Sequence, residues 1–298
     1  MRPPSGLQYE ITFEDQLAYV TEVGGGLRSY SAGGREILDG YGAHEMCSAG
    51  RGQVLAPWPN RIADGSYEFG GVRHELPIDE RGSQSAIHGL VRWVPWKAVD
   101  DSPGRLSVVV DLYPQPGYPF ALSLQIEYRL SEHGLRVTTR ATNAGTDPCP
   151  FGLGFHPYLR PGTATVDTAT LHLPARSVLG GDEPSHVHGT EFDFLQPRAV
   201  GGTVLDTCFS DLQRGEDGLA RVVLAHPATG ASTTLWVDDA YGYLMVYTGD
   251  TRPDVSRRSL AVEPMTCPPQ AFRTGESVIV LAPGESTEAA WGISPSWT

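Results

Sequence analysis

The chain of 298 residues holds only four cysteines, Cys47, Cys149, Cys208 and Cys267. They lie far apart and form no Cys-x-x-Cys pair. Zinc-ribbon spacing is therefore absent, and a disulfide framework is not expected in a chain this long. Four reduced thiols, mostly packed in the interior, are the expectation. Basic residues are also scarce, with 22 Lys and Arg against 35 Asp and Glu, for a net charge of -13. Nucleic acids and anionic membranes require a basic face, so neither is expected as a partner. No apolar run approaches the roughly 18 residues of a membrane span. The opening MRPPSGLQYEITFEDQ turns polar and acidic where a secretory signal needs its apolar segment, which points to the cytoplasm. Phosphate loops are missing too. GGGLRSY at 24–30 lacks the Gly-Lys-Ser/Thr ending and precedes no helix. The absence of a Gly-x-Ser-x-Gly elbow argues against an α/β-hydrolase. There is no fixed-period repeat, no low-complexity linker and no long segment with helical period.

What is present is punctuation and strand. The 35 Gly and 24 Pro suit many short strands joined by turns. RLSVVVDLY is rich in β-branched residues, and FALSLQIEYRL alternates apolar and polar positions. With LRVTTRATNAG it predicts a hairpin between Phe120 and Ala144, with Gly134 in the turn. LARVVLAH and ASTTLWVDD predict a second hairpin. YGYLMVYTG, SLAVEP, SVIVLAPGE and TEAAWGI supply further strands. Between Tyr41 and Pro57 a turn or two of helix is the most that fits. The expected architecture is all-β, a single antiparallel sandwich domain spanning residues 1–298.

Three stretches set polar residues among apolar ones. In PWPNRIADG, Arg61 offers a planar fork of donors. In SAIHGLVRWVPW, His88 lies near Trp93 and Trp96. In SLAVEPM, Glu263 ends an apolar strand, where glutamate is seldom buried unless paired. A fourth, FGLGFHPYL, sets His156 before Pro157, which favours extended backbone, and after Gly152 and Gly154, which permit close approach. The expected position of His156 is half inside, at a strand end. Each residue alone fits a structural role as well as a chemical one. Together they describe a polar pocket with aromatic walls, a mixture that suits a sugar. HVH at 186–188 lacks a second ligand pair nearby, and a solvated loop is expected there rather than a metal site.

PWPNRIADGSYEFGG, AIHGLVRW, GFHPYL, LDTCFSDL and AVEPMTCPPQAF occur in the order and type of the aldose 1-epimerase (galactose mutarotase) family, and the chain resembles that family from about Tyr9 to Ile293. The resemblance implies a large twisted antiparallel β-supersandwich. It implies His156 as general acid at the ring oxygen of a hexose and Glu263 as general base at the anomeric hydroxyl. Arg61 and His88 would bind sugar oxygens, and Asp206 would bind hydroxyls across the ring. The chemistry needs Glu263 ionised and His156 protonated, and it requires no cofactor and no metal. The partner would be a monosaccharide, and the protein a monomer or homodimer. The form of the motifs is similar to a bacterial branch that includes mutarotases of modified hexoses. A phosphorylated or sulfonated sugar would want further cations, with Arg28, Arg51 and Arg92 as candidates. Leu90 stands where many members carry a second glycine. Two rival readings are a catalytically silent sugar-binding protein and a glycoside hydrolase using Asp206 and Glu263.

Overall fold

A computed structural model describes residues 2–180 and 184–296. Among these residues the structure is strands and turns, apart from a 3-10 turn at Val166–Thr168 and one helical turn at Ala271–Thr274. The interval from Tyr41 to Pro57, where at most a turn or two of helix was expected, holds isolated turns (Glu45 to Gly42, Arg51 to Ser48) and the short strand Val54–Leu55. The helical turn instead follows Gln270 and stops at Gly275, whose φ of 78° closes it.

Two large antiparallel sheets dominate. The first runs, in spatial order, through Lys97–Ser102, Arg105–Leu112, Leu122–Ser131, Gly134–Asn143, Ser286–Ser296, Ser232–Val237, Ala220–Ala225, Thr170–His172 and Arg198–Ala199. Both expected hairpins are in it. Leu122–Ser131 and Gly134–Asn143 pair from Leu122 opposite Asn143 to Ser131 opposite Gly134. Their alternation places Leu122, Leu124, Ile126, Tyr128 and Leu130 inward. Gly134 has φ +99°, and a Cβ there would lie 2.2 Å from the Ile293 carbonyl, so only glycine admits the last strand at this distance.

The second sheet runs through Pro184–His186, Ala175–Leu179, Asp206–Leu212, Tyr243–Tyr247, Leu260–Met265, Gly154–Phe155 and Val54–Leu55, and Tyr158–Leu159 also pairs with Leu260–Met265. Every residue of Leu260–Met265 is buried, as expected of a central strand covered on both faces. A four-stranded sheet from Gln8 to Glu36 packs beside them. One contiguous apolar cluster fills the space between the large sheets. Phe155 of the second meets Trp291 of the first with ring centres 5.1 Å apart. No helix among the described residues is long and apolar enough to cross a membrane. The four cysteines are free, three of them buried.

Candidate active site

Strand register assembles the centre of the site. The neighbour of Leu260–Met265 is interrupted: Gly154 pairs opposite Met265 and Tyr158 opposite Ala261, with no ladder between. The register is the same on both sides of the gap, so residue 156 falls opposite residue 263. Pro157 has no N–H to continue the ladder, although its carbonyl still accepts from Val262 at 3.1 Å. Across this gap His156 Nε2 lies 3.3 Å from Glu263 Oε1. Both side chains are buried, His156 more deeply than the half-inside position expected, and Glu263 within its strand rather than at the end.

His156 is held on all sides. Its backbone N–H donates to Gln53 and its carbonyl accepts from Gly52. Its ring stacks on Tyr158 at 5.0 Å and 6°, and Tyr158 Oη donates to the Ala49 carbonyl. Gly50 lies against the ring, where a Cβ would be 2.6 Å from His156 Cδ2. Gly152 and Gly154 do permit close approach, to Cys267 Sγ and to Pro59 with the Pro264 carbonyl. His156 Nδ1 and Glu263 Oε2 have no hydrogen-bond partner among the described residues. Buried polar atoms are nearly always paired, so an unpaired atom on each of these two groups sets them apart from a satisfied structural pair.

Burial pushes His156 down to about 3, with Arg92 adding to the effect. Burial also pushes Glu263 well above the carboxylate range, with Asp206 adding and Arg61 opposing. Both shifts favour the neutral imidazole and the carboxylic acid over their charged forms. The imidazolium facing a carboxylate expected from sequence is the charged alternative, which burial disfavours.

A second register contact brings in His88. Strands Arg61–Ala63 and Ser85–Ile87 pair with Arg61 opposite Ile87, and the next step sets Asn60 opposite His88. There two hydrogen bonds join them: His88 N–H donates to the Asn60 carbonyl at 2.8 Å, and Asn60 N–H donates to the His88 side chain at Nδ1, 3.1 Å away. The His88 ring meets His156 edge-on at 5.4 Å. Burial, with His156, Arg92 and Arg61 near, pushes His88 well below the usual histidine value.

These residues line a cavity of about 600 Å³ that also takes in Arg61, Asp206, Tyr247, Trp93 and Arg252. All five residues expected from sequence share it. Arg61 is gripped by Glu80 through Nε at 2.5 Å and Nη2 at 2.9 Å. Asp206 opens the exposed end of strand Asp206–Leu212 and makes no ion pair among the described residues. Sequence reasoning missed Glu80, Asp79, Asn60 and Tyr158. An acidic pair in PIDERG carries no signal until the fold sets it beside Arg61 and Arg92. Of the three further cations proposed for a charged sugar, only Arg92 lines the cavity, and Asp79 already faces it at 2.9 Å. Arg28 and Arg51 turn to the carbonyls of Tyr41 and Gly40. In HVH, His188 is exposed and lies 3.3 Å from Asp193.

The model of the aldose 1-epimerase family matches residues 8–294. The uncharacterized protein YihR of Escherichia coli K12 is 35% identical over an alignment covering 94% of this chain and 91% of its own. The uncharacterized protein YphB of the same organism is 25% identical, covering 82% and 83%. Among solved structures, the GalM/aldose epimerase homologue from C. elegans superposes with a TM-score of 0.86 at 17% identity, covering 98% of this chain and 99% of that one. A galactose mutarotase-like protein from Clostridium acetobutylicum gives 0.84 at 18%, covering 97% and 95%.

Proposed function

Because the chain belongs to the aldose 1-epimerase family, we propose that it is a mutarotase that interconverts the α and β anomers of an aldohexose, with His156 as general acid and Glu263 as general base. The observation that carries this reading is the 3.3 Å approach of His156 Nε2 to Glu263 Oε1, with an orphan polar atom on each group and a cavity above them. A cyclic hemiacetal inverts at C1 by opening. Glu263 takes the proton from the C1 hydroxyl, His156 gives one to the ring oxygen, and the C1–O5 bond breaks. The open aldehyde turns about C1–C2, and closure on the other face runs both transfers in reverse. Each well-placed acid or base contributes about 10²–10⁴-fold.

Proton bookkeeping fits the electrostatics of the pocket. Opening starts from carboxylate and imidazolium and ends with carboxylic acid and neutral imidazole. Burial favours that second, neutral pair, so it favours the stage at which the sugar is open. Arg61 and Asp206 line the same cavity, which supports a role for them in holding the remaining hydroxyls.

Polarimetry on freshly dissolved α-glucose, α-galactose and a charged hexose tests the reading. Equilibration much faster than in buffer, with unchanged sugar composition, is expected for at least one neutral hexose. Cleavage of a disaccharide would instead indicate a hydrolase, and binding without acceleration a silent lectin. Glu263→Gln is expected to fold normally and lose about 10²-fold or more in kcat. A loss below about tenfold would make Glu263 structural.

A further inference from the structure

We propose that the backbone amide of Asn60 locks His88 as the Nε2–H tautomer, so that His88 presents a permanent neutral donor to an oxygen lone pair of the substrate beside the His156–Glu263 pair. The identity of that oxygen rests on the mutarotase reading; the tautomer does not. A neutral imidazole carries one N–H, and the partner of one nitrogen decides which nitrogen holds it. At His88 the partner of Nδ1 is itself a donor, the Asn60 N–H at 3.1 Å. Nδ1 must therefore present its lone pair, and the proton goes to Nε2. A second proton would set N–H against N–H. It would also add a charge on a buried ring near the guanidinium groups of Arg61 and Arg92, with His156 edge-on and Glu263 beyond it.

The lock is built into the backbone. His88 N–H donates to the Asn60 carbonyl at 2.8 Å, so the two residues hold each other at two points. Both leave their strands in the left-handed region, Asn60 at φ 53° and His88 at φ 62°. Asparagine tolerates that region better than most residues. Its own Oδ1 accepts from the Arg61 N–H at 2.9 Å and steadies the turn. The same tautomer argues against a metal here. His88, His156 and Glu263 bring one donor atom each within 4.8 Å of one another. A metal-bound histidine, however, needs a lone pair on the ligating nitrogen and a proton on the other, pointing to an acceptor. His88 has the reverse arrangement.

The consequence for the reaction is a division of labour. His156 and Glu263 exchange protons, while His88 only donates a hydrogen bond. A ring nitrogen of His88 lies within 4.8 Å of the facing atoms of His156 and Glu263, so an oxygen seated over that pair is within reach of the His88 ring. As the ring opens, negative charge gathers on the oxygen that loses its proton, and a fixed donor costs no reorganisation at that moment. Asn60 acts through His88 and is a positioning residue.

Long-range 1H–15N correlation spectra of the resting protein, labelled at histidine, test the lock without any turnover. The His88 signal is expected in the Nε2–H pattern, unchanged across the pH range in which exposed histidines titrate. An Nδ1–H pattern, or an imidazolium at neutral pH, overturns the proposal and leaves the mutarotase reading standing. In kinetics, Asn60→Val strains a left-handed position and displaces the amide, so kcat is expected to fall at least tenfold with the tautomer signature lost. Asn60→Gly keeps both the conformation and the N–H, and is expected to recover most of that loss. Equal damage from Val and Gly would place the effect in the asparagine side chain and overturn the role of the amide. If Asn60→Val fails to fold, the wild-type spectrum alone still decides.

Discussion

His156 and Glu263 are one titrating unit, and their pH dependence follows from that. Two buried groups at 3.3 Å exchange protons as a pair, and the kinetic limbs belong to the pair. With His156 pushed down, a second proton enters only below the ordinary histidine value; with Glu263 pushed up, the last proton leaves only above the ordinary carboxylate value. The expected profile of kcat/KM has its acid limb displaced below 6.5 and its alkaline limb displaced above the ordinary carboxylate value. A limb centred on 6.5 would mean that an exposed histidine controls the rate. The ring of His156 is also set by contact. Gly50 has φ +71°, and an added Cβ would meet His156 Cδ2 at 2.6 Å and Nε2 at 3.1 Å. Gly50→Ala is expected to lower stability by about 1 kcal/mol or more, because alanine resists the left-handed region. It is also expected to lower kcat at least tenfold as the ring is displaced. Circular-dichroism melting and polarimetry read the two effects separately, and an unchanged kcat would show that the loop yields and the ring does not.

At the scale of elements, the strand Leu260–Met265 must be held along its length for Glu263 to face the gap at His156. Its start is fixed by Asp39, a buried carboxylate that accepts from Arg258 Nε at 3.0 Å, Arg258 Nη2 at 2.9 Å and Ser259 Oγ at 2.8 Å. The backbone N–H of Asp39 donates to the Tyr158 carbonyl, which ties the same point to the neighbouring strand. Arg258 is 43% exposed, so water screens part of the ion pair. Asp39→Ala leaves Ser259 and Arg258 without their acceptor and is expected to cost about 1–3 kcal/mol in urea unfolding. Asp39→Asn, which keeps one acceptor oxygen, is expected to cost less. Equal losses would place the effect in the charge.

At the scale of the molecule, the two large sheets share one apolar core, and Trp291 of one sheet meets Phe155 of the other across it. Phe155 immediately precedes His156, so the core packs directly beneath the site. Trp291→Ala removes a fully buried indole and is expected to cost about 3–5 kcal/mol. Denaturant unfolding followed by circular dichroism measures it, and a loss near 1 kcal/mol would show that the sheets close over the gap.

Strand identity was legible in the sequence because a half-buried strand must alternate its side chains. Leu122–Ser131 with Gly134–Asn143, and Ala220–Ala225 with Ser232–Val237, lie where alternation and turn residues put them. His156, Glu263, Arg61 and His88 stood out as polar residues in apolar settings, and the family motifs added Asp206. Which strands lie side by side was not legible, since register is a relation between segments more than a hundred residues apart. That register brings residue 156 opposite 263, and its continuation beyond Arg61 and Ile87 brings Asn60 opposite His88. The helical turn at Ala271–Thr274 was missed because four residues cannot express a helical period. Residue chemistry and strand periodicity are local and were fixed by the sequence itself. The resting proton distribution between His156 and Glu263, the grip of Glu80 on Arg61 and the tautomer of His88 depend on burial and on partners, and only the folded chain decides those.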